Sequence, residues 1–565
     1  MIHILRFKRK SILIYSLFVI LAILAIVPFL PMMRLYGQGD LLFHLNRIYG
    51  LVDGLKSGEL PYRVFNVMAD TGSAVNFFYP FVYLLGFAAL FAVLPNDVFA
   101  FYAGEAILLF VTLVVAYRAM MAFSKKNMTR SFLFAVLYGF AAYRTYLAFD
   151  QFVLGEAFAY AFLPLAFLGL YNVVLGNFKK WQTLAIGVSL VLYAHMLSTV
   201  LMIGLFIILI IVALLSKKIT DIRQRIYSLL KAVGLTLLLA VAVYVPFVYA
   251  YEQTKITTTV QQHIIFLNGF GENVLRSLND QYQNIGILGI LALVSGFVVL
   301  FKKNYSLNLF WWVTGSVLFV TGTSVFPWHA LPFAIQSLVQ FPYRLFGMAT
   351  LFLMVFLSKF LVDIFASRKN SGWLLTVVTL FALVGWFGKA AEFIVARHEQ
   401  PTLINKNGDG KQMYVFSADS NQLQSIVSED YGYIGMVDYA PTSAWIPMNR
   451  DSILRGEVLE NNKLVDYSHH ETVSSKYFSF KLSKAGNVDL PIFRYGNEIV
   501  IVDGKVVNSS QSSRGTVQLK LDAGNHVVEV SYTTPTWIYA VWLISGLGWI
   551  TIVLFSIRHR HGKFE

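Results

Sequence analysis

The sequence predicts a polytopic α-helical membrane protein with an antiparallel β-domain inserted before its last helix. Three observations carry this. Of 565 residues, 57% are hydrophobic and only 13% are charged, about half the charged share of soluble domains. Apolar runs long enough to cross a bilayer, roughly 17–25 residues, punctuate most of the chain. Between Ala396 and Pro535 the apolar period changes to two. This composition excludes a disordered scaffold, a disulfide-rich secreted module and an ordinary soluble enzyme. The chain has no cysteine, which also excludes thiolate metal sites and a thiol nucleophile.

The first run, Ser11–Met33, follows Arg6, Lys8, Arg9 and Lys10 and has no small-residue cleavage site. It reads as an uncleaved signal anchor with its N-terminus inside. Eleven more runs are expected to cross: Val98–Phe123, Ser131–Tyr143 with its extension, Ala157–Leu175, Gln182–Leu197, Ser198–Leu215, Ser228–Tyr251, Tyr282–Phe301, Tyr305–Thr323, Leu345–Phe365, Trp373–Val395 and Thr536–Ile557. Phe77–Leu94 is shorter and bracketed by Pro80 and Pro95. It is expected to be re-entrant, dipping in and returning to the outer face.

Charge supports this count of about twelve transmembrane helices. The net charge is +14, yet the 396–535 insert carries 13 basic and 16 acidic residues. The excess therefore belongs to the membrane part, where Lys and Arg mark the cytoplasmic side. Lys125/Lys126/Arg130, Lys179/Lys180, Lys217/Lys218/Arg223/Arg225, Lys302/Lys303, Arg368/Lys369 and the tail Arg558/Arg560/Lys563 all fall inside if Phe77–Leu94 does not cross. The expected organisation is a multi-pass plasma-membrane protein with both termini cytoplasmic: a membrane domain over 1–395, an extracytoplasmic β-domain over 396–535, and a final helix with a basic tail over 536–565. The basic excess thus records orientation, and no nucleic-acid partner is implied.

In the insert, Tyr477–Leu482, Glu498–Val502, Lys505–Val507, Thr516–Leu521 and His526–Tyr532 alternate apolar and polar residues. Asp503-Gly504 and Ala523-Gly524-Asn525 are expected as tight turns between strand pairs, giving a small sandwich.

Chemistry is expected on the outer face, because no inner loop is long enough to form a domain. The segment after the first run places Leu41, Leu45, Ile48, Val52 and Leu55 at helical spacing, which predicts an amphipathic helix lying on the outer leaflet. Asp40, His44 and Arg47 share a face of it at i, i+4 and i+7. A carboxylate there could take a proton from a hydroxyl, and a guanidinium could hold a phosphate by its fork. Asp40 is equally suited to cap the helix. Glu156 stands at the outer mouth of an apolar helix, with Arg144 and Asp150 just before it; Arg144 could bind an anion or simply pair with either acid. His195 lies at the junction of two short helices and could orient a substrate or be a satisfied core residue. Gln340-Phe341-Pro342-Tyr343-Arg344 opens another helix, where Arg344 suits a lipid phosphate or an interface anchor. Walker, GxGxxG, HExxH and GxSxG motifs are missing. No paired acid and base is evident near a helix midpoint, which weakens an ion-coupled transporter.

These motifs occur in a fixed order: Gly39-Asp40…Phe43-His44…Arg47, Gly58-Glu59-Leu60-Pro61, Phe78-Tyr79-Pro80, Leu154-Gly155-Glu156, His195-Met196-Leu197-Ser198 and Gln340-Phe341-Pro342-Tyr343-Arg344. Together they resemble the bacterial membrane family labelled 6-pyruvoyl-tetrahydropterin synthase-related, a neighbour of the YfhO-like proteins. The label does not describe the chemistry, since no three-His zinc site is present. The resemblance implies a GT-C-type fold and a glycosyltransferase that takes sugar from a polyprenyl-phosphate donor on the outer face. The acceptor would be a cell-surface polymer or glycolipid, and the anomeric centre would be inverted. By position, Asp40 matches the essential acid of the first outer loop, with His44 and Glu156 beside it in the catalytic set. Arg47, Arg144 and Arg344 would hold the donor phosphate; His195, Gln340, Tyr343 and Asp150 would orient substrate. Gln38 stands where some relatives carry a second acid, so the pattern specifies no metal ligand and no certain cofactor, leaving a divalent metal open. Two alternatives are a flippase or exporter of a lipid-linked glycan, and a non-enzymatic scaffold for cell-wall assembly.

Overall fold

The computed structural model describes residues 2–561 except 218, 257–263, 265, 282, 302–306, 366–370, 399–415 and 429–436. The basic positions Lys218, Lys302, Lys303, Arg368, Lys369 and Lys563 thus lie outside the described residues. The chain divides into two compact units. One comprises 1–39, 101–234 and 261–400; the other comprises 40–100, 235–260 and 401–565. The β-domain, expected as a separate insert, shares its unit with the first outer segment and the last helix.

Among the described residues, seven helices are long and apolar enough to cross a membrane, or up to nine if two bent pairs each count as one span. Met128–Gly139 begins at Asn127, whose side chain accepts from the Arg130 N–H at 2.9 Å. It turns by 43° into Ala142–Asp150, whose last five residues form a π-turn. Ile222–Leu239 turns by 70° into Val241–Gln253. The runs near Gln182, Tyr282 and Tyr305 fold as helices of 13, 16 and 15 residues, Gln182–Ala194, Gly286–Phe301 and Leu307–Thr321. These are shorter than the about 20 residues of an upright span. The 77–94 run is broken as its prolines predict: Val75–Phe78 ends at an extended Tyr79 before Pro80, and Leu85–Val93 follows as a separate short helix.

In the first unit, small residues bring backbones together. A Cβ on Gly169 would lie 2.3 Å from the Cα of Leu184, and one on Gly187 would lie 2.5 Å from the Cα of Ala166. Leu154–Val174 and Gln182–Ala194 can therefore approach only where these positions lack a side chain. Nearby, Tyr138 and Tyr160 stack at 4.1 Å, and each hydroxyl donates to the other residue's carbonyl. Two buried phenols are thereby satisfied without water.

In the second unit the insert forms two five-stranded antiparallel sheets. One runs in the order Ser510–Gln511, Thr516–Leu521, Gly486–Phe493, Leu459–Glu460, Lys463–Leu464. The other runs Tyr467–Glu471, Ser475–Leu482, Gly524–Ser531, Ile499–Val502, Lys505–Val507. Asp503 and Gly504 both take positive φ, 50° and 80°, the turn expected of a two-residue hairpin. The Ala523–Asn525 turn differs from expectation: Thr516–Leu521 and Gly524–Ser531 belong to different sheets, so it connects layers. The alternation reading also missed Gly486–Phe493. Six consecutive residues of that strand are buried, which erases the period-two signal.

Candidate functional site

Helix Leu41–Ser57 forms as predicted, but it does not lie on a surface. Most of it is buried, including His44, Asn46 and Arg47 on its polar side. Polar residues on both flanks find partners inside the unit. Asn46 accepts from the Met68 N–H at 2.9 Å, and Arg47 is wholly buried. The Arg47 guanidinium donates to Asn76 Oδ1 at 3.1 Å, to the Tyr83 hydroxyl at 3.2 Å, and to the Tyr79 and Pro80 carbonyls at 2.9 Å each. It also lies 4.6 Å over the Tyr79 ring. Committed in this way, Arg47 holds the segment around Pro80 in place and offers little of its fork to a phosphate.

Asp40 stands at the N-cap position but makes no side-chain cap bond; its carbonyl accepts from the His44 N–H at 3.0 Å. Its charge acts instead on the hydroxyls of Tyr79 and Tyr83 and on a second carboxyl, Asp438. Burial, with the Asp40 charge beside it, pushes Asp438 up to about 7. Tyr439 continues the wall, 6.3 Å from the Tyr79 ring and stacked on Phe78 at 5.9 Å. Tyr83 lies within 3.5 Å of His44 Nδ1. This part of the second unit therefore gathers two carboxyls, an imidazole and several aromatic rings. Asp438 could not be singled out from sequence, because it lies about four hundred positions from Asp40 in a segment with no helical or strand period.

The first unit holds the other predicted residues. The Gln340–Arg344 signature folds around its own arginine. Gln340 takes a φ of +59°, which brings its side-chain oxygen 3.0 Å from Arg344 Nη1; the Val339 carbonyl accepts from the same nitrogen at 3.2 Å. Arg344 also covers the Phe341 ring at 4.7 Å. Its Nε faces Glu156 Oε2 across 3.7 Å, a loose pair. The other Glu156 oxygen accepts from the Tyr143 hydroxyl at 2.6 Å. His195 caps helix Met196–Leu215, its Nδ1 accepting from the Ser198 N–H at 3.3 Å. Its ring is close enough to Arg344 for their charges to interact. A small cavity of about 20 Å³ is lined by Glu156, Arg344, Tyr143 and Ser198, room for about one water. Tyr343 lies at the edge of this group, 3.4 Å from the Tyr146 hydroxyl.

One expectation is corrected. Arg144 pairs with neither Asp150 nor Glu156; it faces Glu105 at 3.8 Å, both side chains being fully buried. Glu105, the ninth residue of helix Asp97–Phe123, thus has a buried basic partner from outside that helix. Glu105 was readable as an ionisable residue within the apolar run Asp97–Phe123, but its partner was not. Asp150 is held by Arg397 at 2.7 Å and by Gln38 at 2.6 Å. Both contacts fall on Asp150 Oδ1, and Arg397 also donates to the Tyr36, Phe149 and Asp150 carbonyls. Gln38 thus donates to an acid.

Among the described residues, one group could hold a metal. Ligand atoms of Asp70, His469 and Glu471 lie within 4.8 Å of one another. The Lys476 ammonium stands 3.5 Å from Asp70 and competes with any cation there. Compared with protein-family models and with curated proteins, the chain matches none.

Proposed function

We propose that the chain is an integral-membrane glycosyltransferase that moves a sugar from a polyprenyl-phosphate donor to a cell-surface acceptor on the outer face. The observation that carries this reading is that the Asp40 charge acts on a buried second carboxyl, Asp438, and on the Tyr79 and Tyr83 hydroxyls, with the Tyr439 ring beside Tyr79. Aromatic faces beside paired carboxyls suit a sugar ring and an acceptor hydroxyl. Asp40, unused as a cap, is the base that takes the acceptor proton as the new glycosidic bond forms. Asp438, whose carboxyl is pushed up to about 7, can donate a hydrogen bond to a neighbouring oxygen in its protonated form. Arg344 carries the donor-phosphate role, with Glu156, His195, Gln340 and Tyr343 around it. The proposed topology has twelve spans, both termini inside and the β-domain outside.

The test is Asp40→Asn in a strain that depends on the protein for surface glycosylation. The helix should survive, because no cap bond is lost. Transfer should fall by at least about a hundredfold if general-base catalysis is removed. Normal glycosylation at normal protein level would overturn the assignment. One observation favours a transporter instead: the Glu105–Arg144 pair, since buried ions inside spans often mark transport paths. Loss of lipid-linked glycan export in Glu105→Gln, with intact transfer in membranes opened to both sides, would favour that reading.

A further inference from the structure

A large cavity of the first unit lies away from the site above. It has a volume of about 670 Å³, within the roughly 300–1,000 Å³ of small-molecule sites. Its lining is almost wholly apolar and includes Phe134, Phe167, Leu209, Ala213 and Phe352. Leu175, Val212, Leu307 and Val313 at its border are exposed large hydrophobic residues, as expected of an opening toward lipid chains.

A second cavity of about 550 Å³ continues from it, because Phe123, Leu307 and Trp311 line both. This one is polar at its far side, with Arg130, Asn308, Lys359 and Asp363. It lies at the end of the unit that carries the Lys125–Lys126 turn, the end that loop charge assigns to the cytoplasm.

Three buried polar atoms lining this second cavity have no hydrogen-bond partner among the described residues: Arg130 Nε, Trp311 Nε1 and Asn308 Oδ1. Arg130 is 8% exposed and Trp311 9%. An unmet buried donor is costly, and more so when charged. The remaining Arg130 contacts are to protein: Nη2 donates to the Val355 carbonyl at 3.0 Å, and the guanidinium lies 5.4 Å over the Phe123 ring. Lys359 pairs with Asp363. Two positive charges and one negative leave the cavity with one positive charge, which matches the single negative charge of a phosphodiester.

We propose that the two cavities together hold one phosphate-headed lipid, its headgroup on Arg130, Lys359 and the Trp311 indole N–H and its chain in the apolar cavity. The apolar part selects a lipid over free phosphate, and the basic part selects an anionic lipid over a neutral one. This site is separate from the proposed donor site and stands whether or not the chain is a glycosyltransferase.

The test uses the full-length protein, delipidated in an uncharged detergent. Thermal stability is titrated with phosphatidylglycerol, with diacylglycerol and with inorganic phosphate. Phosphatidylglycerol should stabilise the protein saturably, and the other two should not. Trp311→Phe keeps the ring and leaves the Arg130–Val355 contact, so it should fold; its apparent affinity should fall by about tenfold or more, the worth of a charge-assisted hydrogen bond. Ala213→Phe, which narrows the apolar cavity, should also weaken binding without touching the headgroup. Equal stabilisation of wild type and both variants would overturn the site. So would stabilisation by diacylglycerol equal to that by phosphatidylglycerol, which would mean a neutral chain site, or by phosphate alone, which would mean a free-anion site.

Discussion

Arg63 and Glu498 lie 435 positions apart in the chain and meet in an ion pair at 3.1 Å, with side chains 0% and 1% exposed. The same guanidinium donates to the Gly72 and Phe493 carbonyls and to Asn497, while Glu498 accepts from the Tyr495 and Gly496 N–H groups. One arginine of the first outer segment is thus embedded in the backbone of the β-domain. Removing one partner of such a pair leaves the other charge buried, at a cost of about 3–5 kcal/mol. Glu498→Gln should therefore lower the thermal midpoint of the purified protein clearly. The Arg63→Met, Glu498→Gln double variant should lose less than the two single losses summed. Strict additivity would show that the pair contributes nothing as a unit.

A pH dependence follows from Asp438. Burial and the Asp40 charge raise its carboxyl from 3.8 to about 7. Between those values the folded protein keeps a proton that the unfolded chain releases. Stability contributed by this group therefore falls as pH rises across that window and is level above it. Asp438→Asn, neutral at every pH, should flatten this part of the stability profile. Transfer activity should likewise lose an inflection near pH 7. An unchanged stability slope in the variant would remove Asp438 from the titrating pair.

Arg344 makes two directional hydrogen bonds through one nitrogen and faces Glu156 with another. Lysine would keep the charge but not this planar arrangement. Arg344→Lys should reduce donor use partially, and Arg344→Ala should reduce it by about tenfold or more, as for a lost charge-assisted contact. The measurement is donor concentration dependence in membranes, normalised to protein level. Equal activity of the alanine variant and wild type would leave Arg344 a structural anchor.

Gly187 packs where a Cβ would meet the backbone of Ala166 at 2.5 Å. Backbone cannot move aside as a flexible side chain can, so Gly187→Val should force the two helices apart. Overpacking of this kind costs roughly 1–3 kcal/mol or more. Yield of monodisperse protein in detergent should fall. Gly204→Val should not, because nothing stands within 4 Å of a Cβ there.

What the sequence by itself determined follows from short-range physics. Apolar length marked the candidate spans, Pro80 marked the break between the short helices Val75–Phe78 and Leu85–Val93, and Asp503-Gly504 specified its own hairpin turn. Helix Leu41–Ser57 was legible from its 3.6-residue spacing, and so was the presence of an acid at its start. Tertiary structure decided the rest. The helical wheel could not tell that both flanks of Leu41–Ser57 would be covered, because burial of a polar face depends on donors and acceptors that distant segments bring to it. That Asp40 leaves the cap unfilled and acts on Asp438 depends on a segment far along the chain. The partners of Arg144, Asp150 and Glu156 were not readable for the same reason. Several acids within reach of several arginines look equivalent in sequence, and a buried charge is satisfied by whichever partner the packing places beside it: Glu105 for Arg144, Arg397 for Asp150 and Arg344 for Glu156.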